Sequence, residues 1–287
     1  MRKFAVIDIG SNSVRLMFVA DGKVLYKRLN TTRLGEGLAT SARLKTEAIE
    51  RSARAVRDFY NVAKKEAAEQ VFEFATAAVR FAENGNVFVE RVKEVCGLSV
   101  EVISGEREAE IGITGALGNM DGAVIDIGGA STEIVARENG EMVYKKSVDI
   151  GVVRLKDMCG KDLNKLKETA KEYARQFGEA PTRFALYGIG GTATTLGALI
   201  LGMQYYDSNK ITGSIVSVKQ MCEMAEKLST MTIEEIAALP CVSKGRADVL
   251  LGGAVLMSTL MTELGFEEIV ISDRDNLEGY AICKGFM

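Results

Sequence analysis

Asp8-Ile9-Gly10-Ser11-Asn12-Ser13 and Asp126-Ile127-Gly128-Gly129-Ala130-Ser131-Thr132 say nearly the same thing 118 positions apart in a chain of 287 residues. Each stretch follows a short apolar run, Phe4 to Ile7 in the first case and Ala123 to Ile125 in the second. The pattern predicts a buried strand that ends in an acidic residue and then turns tightly through small polar residues. Glycine lets such a turn come close to a neighbour and adopt positive φ, so a row of N–H groups and hydroxyls can face one way. A concave row of that kind suits phosphate oxygens. Two of them facing each other would grip an oligophosphate together with a divalent metal.

The repeat continues beyond the turns. Val14 to Ala20 is apolar and β-prone, Asp21-Gly22 is a hairpin signal, and Lys23 to Leu29 alternates. In the second half Thr132 to Ala136 leads to Asn139-Gly140, followed by Glu141 to Val148. Asp-Gly and Asn-Gly are strong two-residue hairpin signals, and both begin 13 residues past their aspartate. A further glycine-bearing segment closes each unit, Arg33-Leu34-Gly35-Glu36-Gly37-Leu38 and Asp149-Ile150-Gly151-Val152. The chain therefore reads as two copies of one unit, residues 1–121 and 122–287, with the last helix free to return to the first domain.

Thr46 to Gln70 carries Ala48, Ile49, Ala53, Val56, Phe59, Val62, Ala63 and Ala67 at helical spacing, which predicts an amphipathic helix lying on a sheet. A strand over Val71 to Ala75, a helix over Val87 to Val95, a strand over Leu98 to Ile103 and a helix over Glu106 to Leu117 follow. The second half repeats this order with a helix over Lys161 to Phe177 and a strand over Arg183 to Gly188. Gly190-Gly191-Thr192 then opens a helix, and a late strand covers Ile269 to Ser272. Helices over Val218 to Leu228, Thr232 to Leu239 and Arg246 to Leu264 lie between. The order βββαβαβα predicts an α/β fold with mixed sheets.

Composition narrows the chemistry. The net charge of −3 gives no footprint for nucleic acid or an acidic membrane surface, so an anionic ligand would need local basic groups. Asp8 interrupts the apolar start after four residues, which argues against a signal peptide. Phe184 to Tyr206 is uncharged but too rich in glycine and threonine for a lipid-facing helix. The five cysteines are scattered without metal-ligand spacing, as expected of thiols in a reducing cytoplasm. The chain has no histidine. Histidine bases, triads and metal sites are therefore excluded among these residues, and acid/base work falls to carboxylates.

Duplicated units of this kind describe the ribonuclease-H-like domains of the actin, sugar-kinase and chaperone-ATPase superfold, with a cleft between the domains. Within it, the two aspartate turns with Arg15 and Glu133 resemble the exopolyphosphatase/guanosine pentaphosphate phosphohydrolase (Ppx/GppA) family. So do Leu34-Gly35-Glu36-Gly37-Leu38, Thr76-Ala77-Ala78-Val79-Arg80, Ser104-Gly105-Glu106-Arg107-Glu108-Ala109, Gly188-Ile189-Gly190-Gly191-Thr192 and Arg246-Ala247-Asp248. The match runs from Ala5 to about Leu264 and is to the short, two-domain type. A glycine loop alone would be weak; the motifs in the family's order are specific.

The resemblance implies hydrolysis of the terminal phosphate of inorganic polyphosphate, or of the 5'-γ-phosphate of guanosine pentaphosphate, with Mg²⁺ as cofactor and a homodimer as the assembly. It implies Glu108 as the base that activates water, with Glu106 as the alternative. Asp8, Asp126 and Glu133 are the expected metal-side carboxylates, although strand-end aspartates also cap turns. Gly10, Ser11, Asn12, Ser13, Gly128, Gly129, Ala130, Ser131 and Thr132 are expected to bind phosphate, with Arg80 as a side-chain clamp. Arg15 and Arg33 match family positions and equally suit ion pairs. Gly190-Gly191-Thr192 resembles the superfamily's nucleotide turn and equally suits helix capping. The chain departs from the family's Gly-Leu-Arg-Glu-Gly, having Asp275-Asn276-Leu277-Glu278-Gly279 there. An ATPase or sugar kinase of the same superfold, and a guanosine polyphosphate binder without turnover, are the competing readings.

Overall fold

The computed structural model describes residues 2–243 and 245–287. Its first sheet contains β1 (Lys3–Ile9), β2 (Ser13–Ala20), β3 (Lys23–Thr31), β4 (Gln70–Ala75) and β5 (Glu101–Val102), in the order β3-β2-β1-β4-β5. The second contains β6 (Gly122–Ile127), β7 (Thr132–Glu138), β8 (Glu141–Val148), β9 (Leu186–Ile189), β10 (Ile215–Ser217) and β11 (Glu268–Ile271), in the order β10-β11-β9-β6-β7-β8. In each sheet the first three strands are antiparallel, and the first strand is then parallel to the fourth. The second sheet is thus the first repeated, with β11 in the place of β5 and β10 added at the edge. This is the ribonuclease-H-like duplication of the actin and sugar-kinase superfold.

The duplication reaches into irregularities. Both hairpins turn through two residues of positive φ, Asp21-Gly22 at 47° and 74° and Asn139-Gly140 at 54° and 81°. Such a turn matches the twist of the flanking strands, and Asp or Asn followed by Gly tolerates it best. A register shift follows at Phe18/Val19 and again at Ala136/Arg137, each ten or eleven residues past the aspartate.

Alternation along the strands decides which way the aspartates face. On β1, Ala5, Ile7 and Ile9 pack in the core under helix Thr46–Lys65, while Phe4 and Val6 face the opposite side, where Leu277, Tyr280 and Ala281 cover them. On β6, Ala123, Ile125 and Ile127 join the large second core, while Val124 packs with Ala109, Ile113, Leu117 and Ile189. Asp8 shares its face with Val6 and Asp126 with Val124, because side chains alternate with period two. Both carboxylates therefore project from the inner faces of their sheets, toward each other.

Two helices fill the space between those inner faces, and they are exchanged between the halves. Helix Gly105–Leu117, which follows β5, lies largely on the second sheet; helix Asn276–Cys283, which follows β11, lies on the first. They meet at Gly115 and Gly279, where an added Cβ at Gly115 would strike the Asp275 carbonyl and one at Gly279 the Ile111 carbonyl. Only glycine allows that backbone approach.

Several elements differ from expectation for local reasons. The first long helix stops at Lys65, because Ala67 takes a left-handed φ of 60°. The strand over Leu98 to Ile103 shrinks to Glu101–Val102, which find partners only at Phe74 and Ala75 before Ser104 caps the next helix. The helix over Lys161 to Phe177 starts at Leu163, capped by Asp162, and ends in a 3-10 turn, while Val152–Cys159 forms an unforeseen helix before it. Ala247–Leu264 has the length and apolarity to cross a membrane, but it is buried at the centre of the second core.

Candidate active site between the two sheets

The loops that leave β1 and β6 close in the same way, with Gly10 N donating to Ser13 O and Gly128 N to Ser131 O, both at 3.0 Å. They touch: a Cβ on Gly129 would lie 2.6 Å from Ser11 Cβ and 3.2 Å from Asn12 N. Beside this contact lies a cavity of about 460 Å³. Asp8, Gly10, Ser11, Asn12, Ser13, Glu108, Asp126, Gly128, Gly129, Ala130, Ser131, Gly190, Gly191 and Thr192 all line it. Thr132 does not; its hydroxyl donates to the Ile150 carbonyl at 2.6 Å and ties two loops of the second half together. Arg80 and Glu133 stand behind the cavity wall rather than in it.

Of the glutamates on helix Gly105–Leu117, only Glu108 lines the cavity. Residues two apart on a helix project in different directions. Glu106 has its side chain 77% exposed and pairs with Lys145 at 3.4 Å, whereas Glu108 is 7% exposed. Arg80 Nη1 donates to Glu108 Oε2 at 3.1 Å and to the Ile103 carbonyl at 2.8 Å. The Arg80 Nη2 group is buried without a partner. Burial above all, and next the Glu133 carboxylate, pushes the Glu108 carboxyl well above its ordinary range, against the pull of Arg80.

The two aspartates have different companions. Asp8 is paired with Arg15, whose guanidinium also reaches Asp275 from the start of the last helix. Asp126 instead receives Asn276 Nδ2 on Oδ2 at 2.9 Å and lies near Glu133, which accepts from Ser147 Oγ at 2.7 Å. Burial and then the neighbouring Glu133 push Asp126 up to about 8. Burial likewise pushes Glu133 up to about 7, opposed by hydrogen bonds from Ser147 and Ser131. The second half thus crowds two buried carboxyl groups together without a basic partner among the described residues, which favours their protonated forms until a cation binds.

Gly190 follows directly on β9, beside Asp126, with a φ of 73°, and its Cβ, were there one, would fall 2.6 Å from Asp126 Oδ1. Thr192 donates to the Ile127 carbonyl at 2.8 Å, binding this turn to the end of β6. Above it lies Arg246, a cavity residue to which the sequence motif assigned no role. Its Nη1 reaches Thr195 Oγ1 at 3.3 Å, and among the described residues no carboxylate pairs with it. Burial, and then the charge of Arg15, lowers its guanidinium to about 10. Tyr206 and Asp273 also line the cavity, joined through the tyrosine hydroxyl. Arg33, by contrast, pairs with Asp248 at 3.0 Å across the two halves, and Gly37 N donates to Asp157 Oδ2 at 2.9 Å nearby.

The donor set suits a small hard cation. Carboxylate oxygens face the cavity, and Asp8 Oδ1 is buried with no protein partner. Among the described residues no three acidic or thiol groups converge into a ready cage. Magnesium matches that arrangement, because it takes one or two carboxylates and fills its octahedron with water and substrate phosphates.

Two glycine loops from facing sheets, a buried glutamate between them and the cavity guanidinium of Arg246 define a phosphate-handling enzyme of the actin and sugar-kinase superfold. The Ppx/GppA phosphatase family model matches residues 19–282, and the chain belongs to that family. Exopolyphosphatase 2 of Mycobacterium tuberculosis is 35% identical over 98% of this chain and 98% of its own. The crystal structure of an exopolyphosphatase from Cytophaga hutchinsonii superposes with a TM-score of 0.86 at 26% identity, covering 100% of this chain and 99% of the other. The Ppx/GppA family member of Aquifex aeolicus superposes with a TM-score of 0.79 at 28% identity, covering 99% and 97%.

Proposed function

We propose that this chain is a Mg²⁺-dependent exopolyphosphatase, releasing the terminal phosphate of inorganic polyphosphate. The observation that carries this reading is Glu108, a buried carboxylate at the wall of a cavity between two phosphate-type loops, held by Arg80. Phosphoryl transfer asks a protein for alignment and charge neutralisation more than for covalent help. The N–H groups and hydroxyls of Ser11 to Ser13 and the N–H groups of Gly129 to Ser131 hold the terminal phosphates from two sides, while Gly10 N and Gly128 N close the loops themselves. Glu108 takes a proton from water as the water oxygen bonds to the terminal phosphorus, and the bond from that phosphorus to the bridging oxygen breaks. The remaining chain leaves one phosphate shorter. A carboxyl raised by burial is a stronger base than a solvated one, once it is ionised. Arg80 fixes its orientation through the Ile103 carbonyl. Mg²⁺ would be held by Asp126 and Asp8, with Glu133 behind Asp126, and would neutralise charge on the oxygens around the reacting phosphorus.

Guanosine pentaphosphate is the second reading, and Tyr206 favours it: an aromatic ring lines the cavity close to the Gly190 turn, where a base could stack. We take residues 1–121 and 122–287 as the two bodies that close on the substrate, with helix Asn276–Cys283 carried by the first and helix Gly105–Leu117 by the second. The deciding experiment measures Mg²⁺-dependent phosphate release from short-chain polyphosphate, guanosine pentaphosphate and ATP by wild type and Glu108→Gln. Release from polyphosphate that collapses in the variant supports the reading. Turnover of guanosine pentaphosphate alone moves the assignment to the second reading, and inactivity of folded wild type on all three defeats both.

A further inference from the structure

The two strand-end aspartates are joined by one chain of polar contacts that runs through the start of the last helix. Arg15 binds Asp8 on one side and Asp275 on the other. The next residue, Asn276, donates to Asp126 Oδ2. The turn that presents both residues is rigid: Asp275 Oδ1 accepts from Leu277 N at 3.0 Å, and Asp275 N donates to Glu278 at 3.1 Å, forming a capping box. Lys27 from β3 then pairs with Glu278 at 2.8 Å, so the cap is anchored on the first sheet. Asn276 is thus carried by a helix docked on one half while its amide grips a carboxylate of the other.

The amide is badly housed for a purely structural residue. Asn276 is buried, yet among the described residues its Oδ1 has no hydrogen-bond partner, and it lies against Gly112, where a Cβ would approach to 2.9 Å. An unsatisfied buried carbonyl is destabilising, and an apolar side chain of similar size would avoid that cost. What the amide does supply is one N–H placed on Asp126. With Oδ2 committed to Asn276, the carboxylate plane is set and Oδ1 lies beside Gly190 at the cavity.

We propose that Asn276 is a positioning residue for Asp126, holding one carboxylate oxygen on the protein so that the other meets a divalent cation in the cleft. This rests on the phosphatase reading for its cation. Partners that orient a ligating carboxylate typically govern metal affinity by 10 to 100-fold. A residue that only supported the fold would behave in the opposite way, since its loss would lower stability and leave cation binding alone.

The test is a titration of Mn²⁺, used as a paramagnetic stand-in for Mg²⁺, into wild type, Asn276→Leu and Asn276→Ala, with thermal unfolding of each protein. Asn276→Leu is expected to unfold at the wild-type temperature or above and to bind Mn²⁺ about tenfold more weakly. Asn276→Ala is expected to show the same loss of affinity whatever its stability. Equal Mn²⁺ affinity in folded wild type and variants, or no binding by wild type, overturns the proposal. Phosphate release measured on the same samples separates the two readings. Wild type that binds Mn²⁺ but hydrolyses nothing defeats the phosphatase reading, while a tenfold affinity loss in the variants still upholds the role of Asn276.

Discussion

Arg15 and Glu133 occupy the same place in the two halves: Arg15 stands opposite Asp8 in the β1–β2 ladder, and Glu133 stands opposite Asp126 in the β6–β7 ladder. One aspartate is neutralised by its neighbour and the other is crowded by it. The duplicated fold therefore encloses an electrostatically asymmetric cleft, with carboxyl groups that lack a basic partner among the described residues on the second half. A cation is drawn to that side.

Glu133→Gln removes the crowding charge without changing shape. The amount of Mg²⁺ needed for half-maximal phosphate release is expected to rise on the order of 10-fold, and the rate at saturating polyphosphate to fall. Steady-state assays over a Mg²⁺ series check this; an unchanged Mg²⁺ requirement would count against Glu133 as a metal-side group.

Among the described residues Arg246 faces the cavity without an acidic partner, so its charge is available to an anion. Arg246→Ala should raise KM for polyphosphate by about 10 to 100-fold, the range expected for losing a charge-assisted hydrogen bond, with a smaller effect on kcat. Arg246→Lys should recover part of the loss. A variant with wild-type KM would place Arg246 outside the substrate path.

Gly115 and Gly279 pack backbone against backbone at the helix crossing. Alanine at either position forces the helices apart, and overpacking against a carbonyl that cannot rotate away is expected to cost about 3 kcal/mol. Denaturant unfolding of Gly115→Ala and Gly279→Ala measures it. Because the crossing also delivers Glu108 and Asn276, activity should fall even in protein that remains folded.

Glu73 lies on the face of β4 turned away from the cleft, beside Cys96 and the Ser99 backbone, and burial pushes it up to about 7 from an ordinary value of 4.5. Its folded-state value is the higher one, so stability is greatest while the group is protonated in both states and declines as pH rises from about 4.5 to about 7. After discounting for partial solvent screening, the loss is on the order of 1 to 2 kcal/mol. Glu73→Gln should remove this contribution and leave the remaining decline owed to the raised Asp126 and Glu133. Unfolding curves at pH 5 and pH 8 provide the comparison, and an equal pH dependence in both proteins would sink the assignment.

Much of the architecture was legible because its signals are local. Asp21-Gly22 and Asn139-Gly140 specify hairpins through their own φ preferences, and alternation on β1 and β6 tells which face carries Asp8 and Asp126. Spacing on helix Gly105–Leu117 shows that Glu106 and Glu108 diverge, but not which of them turns inward. The helix over Val152–Cys159 escaped notice because its apolar residues follow directly on Ile150 and Gly151 and blend with the strand pattern.

The sequence by itself determined the duplication, the paired loops and the absence of histidine chemistry, since each is a property of residues close together in the chain or of composition alone. Tertiary structure decided the exchange of the two helices, the asymmetry of the carboxylates and the partners of the arginines. Asn276 meets Asp126 across 150 positions, and Arg15 meets Asp275 across 260. Contacts of that range arise only when the two sheets dock, and no periodicity in the chain encodes which polar groups will then face each other.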